Sequence, residues 1–126
     1  MKNYGVTIYL TDDNKFDLVD ILKVIGEKGR CLSWSISDLD CLGETSEVLD
    51  EISDLNKHVS GTEFYQLFSQ IYQTIEGDFV GFENNSTNAL ITIKAIDGSE
   101  FDVETNNSEI LENIRNNFEE VIDLIY

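Results

Sequence analysis

The spacing of apolar residues changes period along this chain, and that change restricts the fold more than any other feature. Tyr4 to Leu10 is rich in β-branched and aromatic residues, as strands are. Phe16, Val19, Leu22 and Ile25 then recur three apart, with Leu18 and Ile21 beside them, which predicts a helix over about 15–25. Thr11-Asp12-Asp13 supplies side-chain oxygens for its start, and Gly26 enters the left-handed region freely at its end. From Arg30 to Ser37 the period falls to two. Leu32, Trp34 and Ile36 alternate with Cys31, Ser33, Ser35 and Ser37, so a second strand has one apolar face.

The helical period returns twice. Val48, Leu49, Ile52 and Leu55 predict a helix over about 46–57 with that stripe buried. Ser60-Gly61-Thr62-Glu63 fits a capping box, so a third helix follows with Phe64, Leu67, Phe68, Ile71, Tyr72 and Ile75 on one side. After Glu76-Gly77 three strands are expected, over 78–83, 89–95 and 99–104. Asp97-Gly98 marks a hairpin between the last two. Keeping apolar residues on one face favours a three-residue loop, Ile96-Asp97-Gly98. That register pairs Ile93 with Phe101, Lys94 with Glu100 and Ile91 with Val103. Phe79, Ile91, Ile93, Phe101 and Val103 would then share a buried face, while Val80, Phe82 and Leu90 fall on the other, covered by helices or used as an interface. Thr105 to Ser108 offers caps for a long last helix from about 109, with Ile110, Leu111, Ile114, Phe118, Val121, Ile122 and Ile125 on its inner face. The order β-α-β-α-α-β-β-β-α predicts an α+β fold, a single mixed or antiparallel sheet of about five strands with about four helices.

With 126 residues, no internal repeat and no linker, the chain is expected to be a single domain over 1–126. An apolar fraction of 41% is too high for a disordered chain. Cys31 and Cys41 are too few and too far from a C-x-x-C spacing to form a disulfide framework, so both are read as reduced thiols. The first residues lack a secretory pattern, and no run approaches the length of a membrane span, so a cytoplasmic location is expected. The sequons at Asn84, Asn85 and Asn106 carry no weight in that compartment.

The chemical inventory is thin. His58 is the sole histidine, which rules out a histidine-rich metal site and favours a solvated residue between two helices. No signature flanks Cys31 or Cys41 as a nucleophile partnered by His58. Glu100, Asp102 and Glu104 alternate along a strand and so mark its solvent face, and the Asp97-Gly98 segment lacks the spacing of a calcium loop. The glycines form no phosphate-binding loop. Trp34, on the apolar side of a strand, reads as core, the alternative being an interface anchor. Neither a cofactor nor a metal is implied, and the chain is read as non-catalytic.

Charge is the sharper feature. The formal net charge is −17, which opposes direct contact with nucleic acid or an anionic membrane and favours basic partners. Between Arg30 and Lys57 there are seven acids and no base: Asp38, Asp40, Glu44, Glu47, Asp50, Glu51 and Asp54. Glu47, Asp50, Glu51 and Asp54 have i, i+3, i+4, i+7 spacing, so they form one stripe opposite the apolar stripe of their helix. Interleaved lysines would give solubility without that self-repulsion. The acids of the last helix, Glu112, Glu119, Glu120 and Asp123, are a second candidate face.

In size, acidity and lack of a catalytic set, the chain resembles the small acidic immunity proteins of bacterial toxin systems. That resemblance implies an inhibitor that docks a basic toxin or nuclease domain, with the acids of 38–54 standing in for phosphates and steering association. Two alternatives belong to other classes: a DNA-mimic or regulatory interaction module, and a small-molecule-binding or enzymatic domain without a readable motif. A homo-oligomer is compatible with all three.

Overall fold

The computed structural model describes residues 5–13, 15–83 and 86–124. In chain order they form β1 (Gly5–Tyr9), α1 (Leu18–Ile25), α2 (Glu27–Arg30), β2 (Ser33–Gly43), α3 (Ser46–Asp54), β3 (Val59–Ser60), α4 (Gly61–Phe68), β4 (Ile71–Phe82), β5 (Ala89–Ile96), β6 (Glu100–Thr105), α5 (Ser108–Asn117) and β7 (Val121–Asp123). The class is α+β, as expected. The described residues hold more elements than the sequence suggested: five helices rather than about four, and seven strands rather than about five, in the order β3-β2-β4-β5-β6-β1-β7. Every neighbouring pair is antiparallel, which removes the mixed alternative. Tyr4, Ile125 and the sequons at Asn84 and Asn85 lie outside the described residues.

One face of the sheet carries the core. Val6 and Ile8 pair with Val103 and Phe101, Ile93 pairs with both Val103 and Phe79, and Ile36 pairs with Phe79. All of these are buried, in one cluster with Leu18, Ile21 and Leu22 of α1, Phe64 and Phe68 of α4, and Ile110 and Ile114 of α5. The expected common burial of Phe79, Ile91, Ile93, Phe101 and Val103 therefore holds. Trp34 is core, fully buried, stacked on Phe64 at 4.5 Å and donating its indole N–H to the Gly29 carbonyl at 2.9 Å. Such a pair adds about 0.5–1.5 kcal/mol beyond its area burial. Gly81, opposite Trp34, leaves that room: a Cβ there would come within 2.7 Å of Leu32 and 2.9 Å of Ile91.

The β5–β6 hairpin corrects the expected register by two residues. Ala95 pairs with Phe101, Lys94 with Asp102, Ile93 with Val103 and Ile91 with Thr105. The loop is Asp97-Gly98-Ser99, with Asp97 and Gly98 both at positive φ and Ser99 N–H donating to the Ile96 carbonyl. A two-residue slip preserves which side chains face inward, so the hydrophobic pattern could not distinguish the two registers. On the outer face, Val80 and Phe82 do lie opposite the core. Leu90 does not: it is the extra residue where Gly81 pairs with Ile91 and Phe82 with Ala89, and it packs against the core.

Three helix expectations are corrected. The first helix begins at Leu18, not near Lys15, because Asp17 rather than Thr11–Asp13 caps it. The Asp17 N–H donates to Asp20 Oδ2, and α1 buries Leu18, Ile21, Leu22 and Ile25 while Phe16 precedes it. The third helix stops at Phe68, and Ile71, Tyr72 and Ile75 belong to β4. Ile71, Tyr72 and Ile75 continue the three- and four-residue spacing of Phe64, Leu67 and Phe68 and so imitate a helix, but they lie on a strand whose register is irregular opposite Leu42 and Gly43. The last helix ends at Asn117. Phe118 turns extended and packs on Phe16 with ring centroids 4.8 Å apart, and Val121–Asp123 then pairs with β1 as an edge strand. Elsewhere, Ser60 caps α4 by accepting from the Glu63 N–H, as the sequence predicted.

Candidate functional site

β2 runs six residues beyond its expected end, through a bulge in which Asp38 adopts φ 53°. Short polar side chains tolerate that region better than most. After Gly43 the chain turns and α3 runs back alongside β2, until Val59 pairs with Trp34. Thr45 Oγ1 donates to the Leu67 carbonyl and the Glu44 N–H to the Gln70 carbonyl, tying this turn to the junction of α4 and β4.

This arrangement exposes all of Asp38, Asp40, Glu44, Glu47, Asp50, Glu51 and Asp54. Among the described residues none of them forms an ion pair. The ion pairs present are Lys28–Glu109, Arg30–Glu27 and Arg115–Asp123. α3 buries only Leu49 and Ile52, so its four acids look outward as their spacing predicted. Val48 and Leu55, expected in the buried stripe, are instead 49% and 55% exposed and flank the acids. Asp38, Asp50 and Asp54 surround a depression between the β2 bulge and α3. Asp40 is separated from them: it pairs with Glu76 and lies on the side of β2 opposite buried Cys41. Of the second candidate group, only Glu112 is helical. Glu119 and Glu120 lie between α5 and β7, and Asp123 is taken by Arg115.

The thiols and the imidazole offer little chemistry together. Cys41 is buried, and burial, aided by Asp50, Asp17 and Asp40, pushes its thiol up to about 11. It therefore stays protonated, which makes it a poor nucleophile at neutral pH. Cys31 is exposed, and it lines a depression that His58 also borders. The His58 ring is stacked on Phe82 across the outer sheet face, at 5.2 Å. Both cysteines are free thiols. Among the described residues no three His, Cys, Asp or Glu side chains gather as metal ligands would, and no helix is long and apolar enough to cross a membrane.

A cleft that the sequence did not reveal opens at one end of the sheet. Leu10 and Phe16 wall it, with Asp17, Tyr72, Thr74 and Ser99 around them, in a volume of about 540 Å³. Asp17 Oδ1 accepts from the Thr74 N–H at 2.9 Å, and Oδ2 accepts from Thr74 Oγ1 at 3.0 Å. Burial pushes the Asp17 carboxyl up, against the opposing effect of these Thr74 bonds. Tyr72 stands at this cleft 76% exposed. The one sequence signal for it was the Asp17–Asp20 spacing directly before the apolar run of α1, a start pattern that Thr11–Asp13 obscured.

Comparison with protein-family models, curated proteins and solved structures finds no match to this chain.

Proposed function

We propose that this protein is a non-catalytic acidic binding protein, an immunity-type inhibitor that docks a basic protein such as a toxin or nuclease domain. The observation that carries the reading is the state of the seven acids of 38–54. Each is exposed, and none is neutralised within the described residues. A chain selected for solubility alone gains nothing from excluding every base from one such segment, whereas a surface that steers a cation does. Val48, Leu55 and Leu42, the last 45% exposed, add apolar contact beside the charge. Protein interfaces combine these two ingredients, with charge governing encounter and apolar contact slowing release.

The test begins with copurification of the basic partner from the native host. The quadruple variant Glu47→Gln, Asp50→Asn, Glu51→Gln, Asp54→Asn is then compared with the parent in stopped-flow association. At low salt the variant should associate roughly tenfold more slowly, with most of the difference gone at high salt. Equal rates at both salt concentrations would remove α3 from the docking surface.

A further inference from the structure

We propose that the cleft between the start of β4 and the start of α1 receives one arginine side chain of the basic partner, stacked on Tyr72 with Asp17 as its counter-charge. This rests on the reading of the protein as a docking module for a basic protein. Three observations lead to it.

The first is position. Gly43 pairs with Ile71 and Leu42 with Gln73, so Tyr72 is the unpaired residue of β4 between the partners of Gly43 and exposed Leu42. The Glu44 N–H bonds to the Gln70 carbonyl one step further on. Gln73 and Thr74 of the cleft wall thus pair with Leu42 and Cys41, within the strand that carries Asp38 and Asp40 and leads to Glu44. The second is chemistry. Tyr72 is a large aromatic with 76% of its surface in water, and Phe16 and Leu10 offer apolar wall for the methylenes of a long side chain. The third is the state of Asp17. Its carboxylate is half-buried, with Thr74 donating once to each oxygen and the Leu18 N–H as a further donor, which still falls short of the four acceptor positions of a carboxylate. No cation pairs with it among the described residues. An incoming guanidinium would compensate a charge that burial now disfavours.

Arginine fits better than lysine, because its planar fork can stack on a ring while donating to a carboxylate. Lys15 also lines the cleft and opposes a cation, but Asp12 and Asp17 outnumber it. Its presence makes the sign of the proposal testable.

The experiment titrates the full-length protein with N-acetyl-arginine methylamide and follows the backbone amides of Leu18, Tyr72, Thr74 and Gly98 by NMR. Saturable shifts at these amides are expected, weaker with the lysine analogue and absent with N-acetyl-aspartate methylamide. Tyr72→Ala should weaken binding about threefold. Lys15→Ala should tighten it, since a like charge is removed. Both residues are exposed, so neither variant threatens the fold. Absence of saturation, preference for the aspartate analogue, or weaker binding in Lys15→Ala would overturn the proposal. Failure of the α3 quadruple variant to slow partner association would count against the docking surface on α3 and leave this titration intact. A slowed association with no cleft shifts would sink the arginine pocket alone.

Discussion

α1 and α3 are nearly equal in length, eight and nine residues, yet they use their surfaces in opposite ways. α1 buries four side chains, Leu18, Ile21, Leu22 and Ile25, and packs against α4 and α5. Its first-turn acid, Asp20, accepts the Asp17 N–H and so works for the fold. α3 buries two side chains, Leu49 and Ile52, and packs mainly on β2. The carboxylates of its four acids accept no hydrogen bond among the described residues, and Val48 with the C-cap residue Leu55 remains largely in water. The sequence of α1 is explained by the core it completes. The five exposed residues of α3 are not explained that way, and they are the part of the helix on which a partner can act without disturbing the fold.

The largest expected contrast comes from one truncation in each helix. Leu22→Ala removes a fully buried side chain and should cost about 2–5 kcal/mol, from lost transfer energy and the cavity left behind. Leu55→Ala, at the C-cap of α3 and 55% exposed, should fall within about 0.5 kcal/mol of the parent. Urea unfolding of both variants measures this directly. A cost for Leu55→Ala approaching that of Leu22→Ala would mean that α3 is anchored more deeply than its burial pattern indicates.

That same contrast explains which parts of the fold were legible. Trp34 and Ile36, Phe79, and Ile91 with Ile93 follow strict alternation on paired strands, so their inward face could be read from spacing alone. Legibility failed where a bulge or a cap broke the period. Ile71, Tyr72 and Ile75 continued the helical spacing of α4 although they belong to the irregular start of β4, and β2 hid its last six residues behind the left-handed Asp38. Phe118 and Val121 continued the helical spacing of α5, but Phe118 is recruited by Phe16 across the molecule and Val121 by β1. Neither contact has a local signature. The acidic stripe was legible because an exposed helix face requires only local spacing. The cleft was not, because it joins residues from the β1–α1 connection, β4 and the β5–β6 turn that only the sheet order brings together.

A smaller effect concerns the carboxyl that caps α1. Burial raises the folded-state pKa of Asp17 above the ordinary value of 3.8. The protonated form is thus the better accommodated one. Its contribution to stability is fully present below 3.8 and is lost as pH rises through the folded-state value. Denaturant midpoints of the parent should therefore fall more steeply than those of Asp17→Asn as pH increases from 3.8 toward neutrality. Comparing the two proteins isolates Asp17 from the general repulsion of a highly acidic chain. A parent whose midpoints fall less steeply than those of Asp17→Asn would show that the Thr74 hydrogen bonds outweigh desolvation.

The smallest effect concerns the stability of α3 itself. Glu47, Asp50, Glu51 and Asp54 repel one another at i, i+3 and i+4 spacing, and the nearest bases in the chain lie outside the segment. Each such like-charge pair costs on the order of a few tenths of a kcal/mol in an exposed helix at low salt. The quadruple Gln and Asn variant should consequently be slightly more stable than the parent in dilute buffer. One term runs the other way: Glu47 sits in the first turn, where a negative charge favours the helix dipole, so part of the gain is cancelled. Added salt should raise the parent toward the variant as the repulsion is screened within a Debye length. The measurement is a thermal melt of both proteins across a salt series. A variant less stable than the parent at every salt concentration would mean that these carboxylates hold the fold together, and α3 would then belong with α1 rather than opposite it.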